Sequence, residues 1–390
     1  MEIDLLTYFS KRLFIAVFLC GCSFVHASEP SLREKIGQML IIGFQGKVIN
    51  EQSPIAHAID KDNLGGVILF DFNIQSQTFD KNIESPAQVK QLNQQLQQLT
   101  EKSNKAHHRA DLPLLISVDY EGGRVNRLHQ RYGFPAVPSA KKVGEMTTTE
   151  ANNIAQTMAN TLQSTGFNLN YAPLVDVNVN SENPIIGKLD RSFSAVPDVV
   201  TQYAQIYGDQ FIDHKIQCSY KHFPGHGSSL ADSHLGFVDV TDTWSEQELA
   251  PYLHLLSQPN HCGMVMVAHI VNRKLDVNGL PATLSYNMIT GLLRNQLQFN
   301  GVVVSDDMQM KAIADYYGLE HAVTLAINAG VDVLMFGNQL AEKPQDPSKI
   351  IDIIEEQVRS GAISEQRINE AYEHIVVLKQ SLEPVVNSLK

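Results

Sequence analysis

Residues 216–234 read IQCSYKHFPGHGSSLADSH, an apolar run that turns into a polar loop. The first part, residues 216–223, has the length and apolar character of a parallel strand that is covered on both faces. The second part, residues 220–234, holds three histidines, a lysine, an aspartate, two glycines and a proline without any regular apolar period. This composition predicts a loop that presents polar groups, and loops on a rigid scaffold are where catalytic groups concentrate.

Apolar runs of this kind recur along the chain, and there are eight of them. They are residues 39–44, 65–70, 114–120, 167–172, 216–223, 264–270, 301–307 and 331–337. Amphipathic segments lie between them at residues 87–101, 149–166, 197–214, 285–297 and 310–330, and two more helices are expected at residues 347–359 and 364–381. This alternation predicts an α/β protein whose eight strands form a (β/α)8 TIM barrel, a single catalytic domain over residues 28–390.

Polar side chains stand where these apolar runs end. They are Asp119 and Arg127 at the third run, Lys221 and His222 at the fifth, His269 at the sixth, and Asp306 and Asp307 at the seventh. In a barrel all these ends share one rim, where the active sites of this fold are built. A doubly wound sheet would need a glycine-rich phosphate loop after its first strand, and GFQG at residues 43–46 is too weak a match.

The first 27 residues have the pattern of a secretory signal peptide, with Lys11 and Arg12 before an apolar run at residues 13–22. An alternative is lipoprotein-type processing after residue 21, which would place a lipid on Cys22 as the only membrane attachment. Either form predicts an exported protein that is periplasmic, anchored by the lipid at the cell envelope, or secreted.

Acidic residues dominate the charge balance, because 42 Asp and Glu stand against 30 Lys and Arg, for a formal net charge of −12 at pH 7. No nucleic-acid partner is expected on this balance. After removal of the signal peptide only Cys218 and Cys262 remain, each beside apolar residues. Two buried free thiols are therefore expected, rather than the disulfide that an exported compartment would permit.

Asp232 and His234 form a candidate acid/base dyad. The aspartate can accept a hydrogen bond from one imidazole nitrogen and direct the other outward. The rival interpretation is a zinc site made by His222, His226, Asp232 and His234, but no regular ligand spacing such as HExxH supports it, so no metal is expected. His226, flanked by glycines, is assigned a structural role in the loop.

A carboxylate on a strand end, a separate acid/base group and several charged hydrogen-bonding groups suit a carbohydrate. Hydrolysis of a glycosidic bond requires one group to protonate the leaving oxygen and another to attack or stabilise the anomeric carbon. Asp306 would be the nucleophile and His234 the proton donor.

Six motifs together resemble glycoside hydrolase family 3, and more narrowly its bacterial β-N-acetylglucosaminidase branch, over residues 32–338. They are VDYEGGRVNR (118–127), NYAPLVDVN (170–178), NPIIGKLDRSF (183–193), KHFPGHG followed by DSH (221–234), PATLS (281–285) and SDDMQM (305–310). The resemblance implies a retaining exo-acting hydrolase of terminal N-acetyl-β-D-glucosaminides, in peptidoglycan fragments or related amino-sugar glycans, without a cofactor.

The resemblance also implies a role for each matching residue. Asp306 would carry the covalent glycosyl intermediate, and Asp232 and His234 would form the acid/base dyad. The sugar-binding positions would be Asp119, Arg127, Arg191, Lys221 and His222. Asp307 would support its loop rather than take part in the chemistry.

Two features depart from the family pattern, which often has GDT where this chain has GSS at residues 227–229. The insert at residues 71–85 is longer than in compact relatives and is expected to extend over the rim. Three alternatives stay open: a glycoside phosphorylase with the same dyad, a β-glucosidase, and a non-catalytic exported sugar-binding protein.

Overall fold

The structure, a computed structural model, describes residues 29–340 and 344–382. Eight parallel strands close into a barrel in the order β1-β10-β9-β8-β7-β6-β3-β2, and a short antiparallel pair, β4 and β5, lies beyond β3. The strands are β1 Leu40–Gly43, β2 Gly66–Ile68, β3 Leu115–Val118, β4 Tyr120–Gly122, β5 Val125–Asn126, β6 Leu169–Asn170, β7 Gln217–Phe223, β8 Met264–Val267, β9 Val302–Asp307 and β10 Val333–Phe336. All eight predicted runs contain a barrel strand, so the predicted (β/α)8 barrel is confirmed.

Helices surround the barrel. They are α1 Leu32–Gln38, α2 Pro54–Asp62, α3 Pro86–Ala106, α4 Ala140–Gly144, α5 Thr148–Thr165, α6 Pro197–Asp213, α7 Ala250–Leu256, α8 Lys311–Tyr317, α9 Leu319–Ala329, α10 Pro347–Arg359 and α11 Glu365–Gln380. Several begin at a hydroxyl cap; at α5, Thr147 accepts the N–H of Glu150 while the Glu150 carboxylate accepts the N–H of Thr147. The strands are buried on both faces, which is why they read as continuous apolar runs.

Two helical segments differ from their predicted form. The stretch 310–330 is two helices, because the chain adopts a positive φ of 70° at Gly318, between α8 and α9. The stretch 285–297 is a π-helix over Asn287–Gln296. In both, the apolar period continues across the irregularity, so the sequence signals a helix but not its interruption.

Helix α11 crosses the amino-terminal end of the barrel. Lys379 of α11 is buried, and its Nζ donates to Gln38 Oε1 at 2.6 Å and to the carbonyl oxygen of Gly65 at 2.7 Å, at the start of β2. Gln217, at the start of β7, donates to Ser381 Oγ at 2.6 Å. The helix thereby covers the end of the barrel opposite to the carboxyl ends of the strands.

Cys218 and Cys262 form a disulfide, so the expectation of two free thiols is wrong. Neighbouring parallel strands cause the pairing, because Ser219 of β7 lies opposite Met264 of β8 and brings the two cysteines to a Cα separation of 4.8 Å. Apolar flanking residues correctly indicate that both side chains are buried. They carry no information on which strands are neighbours.

The insert at residues 71–85 lies at the rim, as expected, and is tied down at two places. Lys81 Nζ donates to the carbonyl oxygen of Asn338 at 2.7 Å, just beyond β10. Asp71 Oδ2 accepts from Arg131 at 3.0 Å and from the Tyr132 hydroxyl at 3.1 Å. The insert therefore connects the end of β10 to the segment that follows β5.

The predicted signal peptide at residues 1–27 and the alternative lipidation at Cys22 lie outside the described residues. Across residues 29–340 and 344–382, no helix is long and apolar enough to cross a membrane.

Candidate active site

The carboxyl ends of the barrel strands gather the predicted residues on one rim. Asp119 directly follows β3, Lys221 and His222 belong to the last part of β7, and Asp306 lies in β9. The loop after β7 carries Asp232 and His234 over this rim, close enough for the charge of Asp306 to raise the pKa of His234. The structure thus brings these predicted residues together at one rim.

Asp306 is an ionised, half-buried carboxylate. Burial alone would raise its pKa, but the nearby His269, His222 and His234 outweigh burial and hold the pKa at about 2. Its Oδ1 accepts the N–H of Asp307 at 2.8 Å. At neutral pH this is a carboxylate with an oxygen that a ligand on the rim can reach, as a nucleophile requires.

His234 is oriented by Asp232, as predicted. Its Nδ1 lies 2.8 Å from Asp232 Oδ1, which also accepts the backbone N–H of His234 at 2.9 Å. Burial lowers the pKa of His234, but its hydrogen bond to Asp232 and the charge of Asp306 exceed that effect, so the pKa is raised above the ordinary 6.5. With Nδ1 engaged, Nε2 is the nitrogen available for proton transfer.

A compact group of four charged residues forms a wall at the same rim as Asp306. Lys221 Nζ contacts Asp119 Oδ1 at 2.9 Å and Glu121 Oε1 at 2.7 Å. Arg191 binds both oxygens of Glu121 at 2.8 Å in a bidentate pair. Burial would raise the pKa of Glu121, but Arg191 and Lys221 lower it to about 2, so two cations and two anions balance in the wall.

His222 is held by Asp176, which is fully buried. Asp176 Oδ2 lies 2.7 Å from His222 Nδ1, while Oδ1 accepts the backbone N–H groups of His222 at 3.1 Å and His226 at 2.8 Å. Burial would raise the pKa of Asp176, but the charge and hydrogen bond of His222 lower it to about 2. Because this fixed carboxylate engages Nδ1, Nε2 is the remaining ring nitrogen of His222.

Arg127 is half-buried and is placed at the rim by the β4–β5 pair. Its backbone N–H donates to the carbonyl oxygen of Asp119 at 3.1 Å. Its guanidinium lies over the Phe70 ring, 5.6 Å from the ring centroid. Within the described part of the chain, its buried Nε has no hydrogen-bond partner. A cation with an unused donor is suited to an oxygen of a ligand.

His226 has the structural role that was predicted for it. It is buried between Ser229 Oγ, 2.6 Å from Nδ1, and Ser233 Oγ, 3.3 Å from Nε2. Asp307 likewise supports its loop, because its Oδ1 accepts the N–H of Gln309 at 3.0 Å. In the ranges that the structure describes, no three His, Cys, Asp or Glu residues are arranged to hold a metal ion.

Residues 31–378 match the glycosyl hydrolase family 3 N-terminal domain. The chain belongs to glycoside hydrolase family 3. The resemblance carried by its six motifs is thereby confirmed.

Proteins named beta-hexosaminidase are similar to this family 3 chain. The Idiomarina loihiensis protein is 34% identical over 254 residues, which cover 63% of this chain and 74% of that protein. The Xylella fastidiosa protein is 33% identical over 307 residues, which cover 76% of this chain and 82% of that protein. Beta-hexosaminidase A of Pseudoalteromonas piscicida is 34% identical over 300 residues, 72% of this chain but 47% of that protein, so the chain spans about half the length of that relative.

Solved structures give the same family and fold. A glycoside hydrolase family 3 beta-N-acetylglucosaminidase from Paenibacillus sp. superposes with a TM-score of 0.81 at 32% identity, over 92% of this chain and 64% of that one. A beta-N-acetylhexosaminidase from Beutenbergia cavernae superposes with a TM-score of 0.76 at 23% identity, over 90% and 99% of the two chains, and supports the fold alone.

Three carboxylates around the site of this family 3 chain were not predicted as members: Glu121, Asp176 and Glu248. For Glu121, its place two residues after Asp119 was the one signal in the sequence, because its pairing with Arg191 and Lys221 joins distant segments. Glu248 is buried, and its Oε2 accepts the N–H of Gly227 at 2.9 Å and of Ser228 at 3.3 Å. It supplies a carboxylate to the part of the loop where the family's GDT aspartate is replaced by Ser228.

Proposed function

We propose that this protein is a retaining, exo-acting β-N-acetylhexosaminidase that releases terminal N-acetyl-β-D-glucosamine from amino-sugar glycans such as peptidoglycan fragments. The observation that carries the proposal is the pairing of an ionised Asp306 with an oriented His234 whose pKa it raises. The similar proteins named beta-hexosaminidase support the substrate class.

The proposed reaction has two steps. First, an Asp306 carboxylate oxygen attacks the anomeric carbon while Nε2 of protonated His234 gives its proton to the departing glycosidic oxygen, so the alcohol leaves and a glycosyl ester forms. Second, neutral His234 takes a proton from water, whose oxygen attacks the same carbon and releases Asp306. Each step inverts the anomeric centre, so the configuration is retained overall.

The charged wall would bind the terminal sugar. Asp119 accepts hydrogen bonds from hydroxyl groups, whereas Lys221 and Arg191 donate them, and Glu121 holds both cations in place. Arg127 can donate a further hydrogen bond, because its Nε has no partner among the described residues. Polar groups of both kinds around a single ring suit a sugar, whose hydroxyl groups donate and accept.

Export to an oxidising compartment is part of the proposal. The predicted signal peptide at residues 1–27 motivates it, and the Cys218–Cys262 disulfide supports it because disulfides persist mainly outside the reducing cytosol. Fractionation of expressing cells, with and without residues 1–27, tests it. Activity that stays in the cytoplasmic fraction of the full-length chain would contradict export.

A paired assay tests the reaction. The purified protein is given 4-nitrophenyl N-acetyl-β-D-glucosaminide and the matching β-D-glucoside, with Asp306→Ala as control. We expect release from the acetamido sugar alone, loss of that release in Asp306→Ala, and a product that first appears as the β-anomer by proton NMR. Equal rates on the two sugars would favour a β-glucosidase, and undiminished turnover in the variant would remove Asp306 from the mechanism.

A glycoside phosphorylase is the second candidate, favoured by the nature of the acid/base group. His234 becomes neutral after the first step and would not repel an incoming phosphate as a carboxylate does. Phosphate would then replace water in the second step and yield a sugar 1-phosphate. Turnover that is unchanged over a range of phosphate concentrations, with free sugar as the sole product, would exclude this candidate.

A further inference from the structure

Three large apolar side chains stand exposed beside the proposed proton donor. Leu235 is 75% exposed, Phe237 is 41% exposed and Tyr316 is 59% exposed. None of them has a role in the reaction steps proposed above. Exposed apolar groups that cluster at a functional site often mark a surface that binds a ligand.

The aromatic pair bridges the two elements that carry the proposed catalytic groups. Phe237 follows His234 by three residues, and its ring centroid lies 5.9 Å from that of Tyr316 with the ring planes at 55°. Tyr316 belongs to α8, the helix that follows Asp306 in the chain. The pair therefore lies between the loop that carries Asp232 and His234, called the acid/base loop below, and the helix α8, which follows the strand of Asp306.

A second contact fixes this arrangement. The backbone N–H of Ala312 in α8 donates to the carbonyl oxygen of Ser233 at 3.4 Å. Ala312 lies about one helical turn before Tyr316, so this bond joins the loop of His234 to α8 close to the aromatic pair. The position of Tyr316 relative to His234 is thus set by the backbone as well as by ring packing.

We propose that Leu235, Phe237 and Tyr316 form the platform that binds the leaving group, which is a second sugar ring with an apolar C–H face. This inference rests on the proposed function. The terminal sugar must lie between Asp306 and the charged wall, and His234 must reach the glycosidic oxygen. The group on the far side of that oxygen then extends past His234, where these three side chains stand.

The size of the platform fits a sugar ring rather than a protein. Three side chains cover one or two pyranose rings, whereas stable protein interfaces involve some 20 to 30 residues on each side. Aromatic faces pack well on the C–H groups of a sugar while its hydroxyl groups remain in water. The platform would therefore select glycosides by their leaving group.

Two substrates separate the leaving group from the terminal sugar. N,N′-diacetylchitobiose carries a second sugar ring, whereas methyl N-acetyl-β-D-glucosaminide carries a methyl group, and both leave as aliphatic alcohols that need protonation. We expect Phe237→Ala and Tyr316→Ala each to lower kcat/KM on the disaccharide by about 3- to 10-fold. On the methyl glycoside the loss should stay below about twofold, and Tyr316→Phe should act like wild type because it keeps the ring.

Val377→Ala is the matched control, because Val377 is 69% exposed on α11 at the opposite end of the barrel. Equal losses on both substrates, or none on either, would overturn the platform. A change in association state by gel filtration with unchanged selectivity would show a protein contact instead, and would also overturn it. If the wild-type protein cleaves neither glycoside nor the 4-nitrophenyl substrate, the proposed function itself is overturned. If wild type and Val377→Ala are active but the platform variants show no selective loss, only the platform is overturned.

Discussion

The aspartate at position 232 sets the protonation of the proposed acid/base group. Burial would lower the pKa of His234, and its hydrogen bond to the Asp232 carboxylate is the largest of the effects that raise it. If His234 is the proton donor that we propose, it must be protonated to act, so we expect kcat/KM to fall as the pH rises through this raised pKa. The Asp306 carboxyl, with a pKa of about 2, stays ionised across the whole working range.

We predict that Asp232→Asn shifts the alkaline limb of the pH profile to lower pH, because the pKa of His234 loses the contribution of the carboxylate. The measurement is kcat/KM against pH for wild type and variant in the same buffers. An alkaline limb at the same pH in both proteins would show that another group sets it.

Glu121 holds two buried cations, so its neutralisation should be costly. We predict that Glu121→Gln lowers the free energy of unfolding by about 3 to 5 kcal/mol, because Lys221 and Arg191 are left with one carboxylate between them. Urea unfolding measures the change. Glu84→Gln is the control, since Glu84 is exposed and pairs with Lys47 at the surface, where such pairs contribute about 0 to 1 kcal/mol.

Prediction from sequence identified as candidates the residues that a motif or a strand end marks, such as Asp306 and His234, and the structure brings these two to one rim. It failed for Glu121 and Asp176, whose roles depend on partners far along the chain. Glu121 and Arg191 are 70 positions apart, and Asp176 and His222 are 46 apart. One sequence gives no register between such segments, so only the folded barrel shows these pairs.

At the scale of elements, the acid/base loop is held at its base by a short 3-10 helix, Glu246–Leu249. Glu248 from this helix binds two backbone N–H groups of the loop, at Gly227 and Ser228. Burial raises the pKa of Glu248 to about 7. The side chain is therefore partly protonated at neutral pH, and its binding to the loop N–H groups changes with pH.

We predict that Glu248→Ala lowers kcat more for a methyl glycoside than for an activated 4-nitrophenyl glycoside, because a loosened loop positions His234 poorly and only the methyl leaving group needs its proton. Glu248→Gln should restore part of the loss, since its amide oxygen still accepts from the loop. Steady-state kinetics on both substrates measure this. Equal losses for the two leaving groups would assign Glu248 to general stability.

The sequence predicted the strands better than the segments between them. Every barrel strand lies within a predicted apolar run, because burial on both faces leaves a continuous signal. The β4–β5 pair was missed, because strands of three and two residues are too short to show an apolar period in the sequence. The division between α8 and α9 depends on the backbone angle of Gly318, which the apolar pattern does not encode.

At the scale of the whole molecule, α11 places a lysine in the apolar end of the barrel. Burial lowers the pKa of Lys379 to about 7, whereas in the unfolded chain it lies near 10.4. As the pH falls from about 10 to 7, the unfolded chain binds a proton that the folded chain does not. The folded state therefore loses stability as the pH falls through that window. Below about pH 7 the contribution of Lys379 to the free energy of unfolding is constant.

We predict that Lys379→Met removes this pH dependence. The free energy of unfolding of the variant, relative to that of wild type, should then increase as the pH falls from 9.5 to 7.5, by at most about 1.4 kcal/mol per pH unit. Urea unfolding at a series of pH values measures the difference. Lys102→Met, at an exposed position on α3, is the control and should show no trend. A constant difference between Lys379→Met and wild type would contradict the lowered pKa.

The disulfide does more than join β7 to the segment just before β8. Cys218 and Cys262 are 44 positions apart, and the covalent ring that they close contains the entire loop of Asp232 and His234. That loop exposes Leu230 and Leu235, so it offers a site for proteolytic cleavage. A protease that cuts there leaves two fragments joined through sulfur, which migrate as one band on a gel until a reductant separates them. Under oxidising conditions, a molecule with a severed proton-donor loop would thus pass for an intact one.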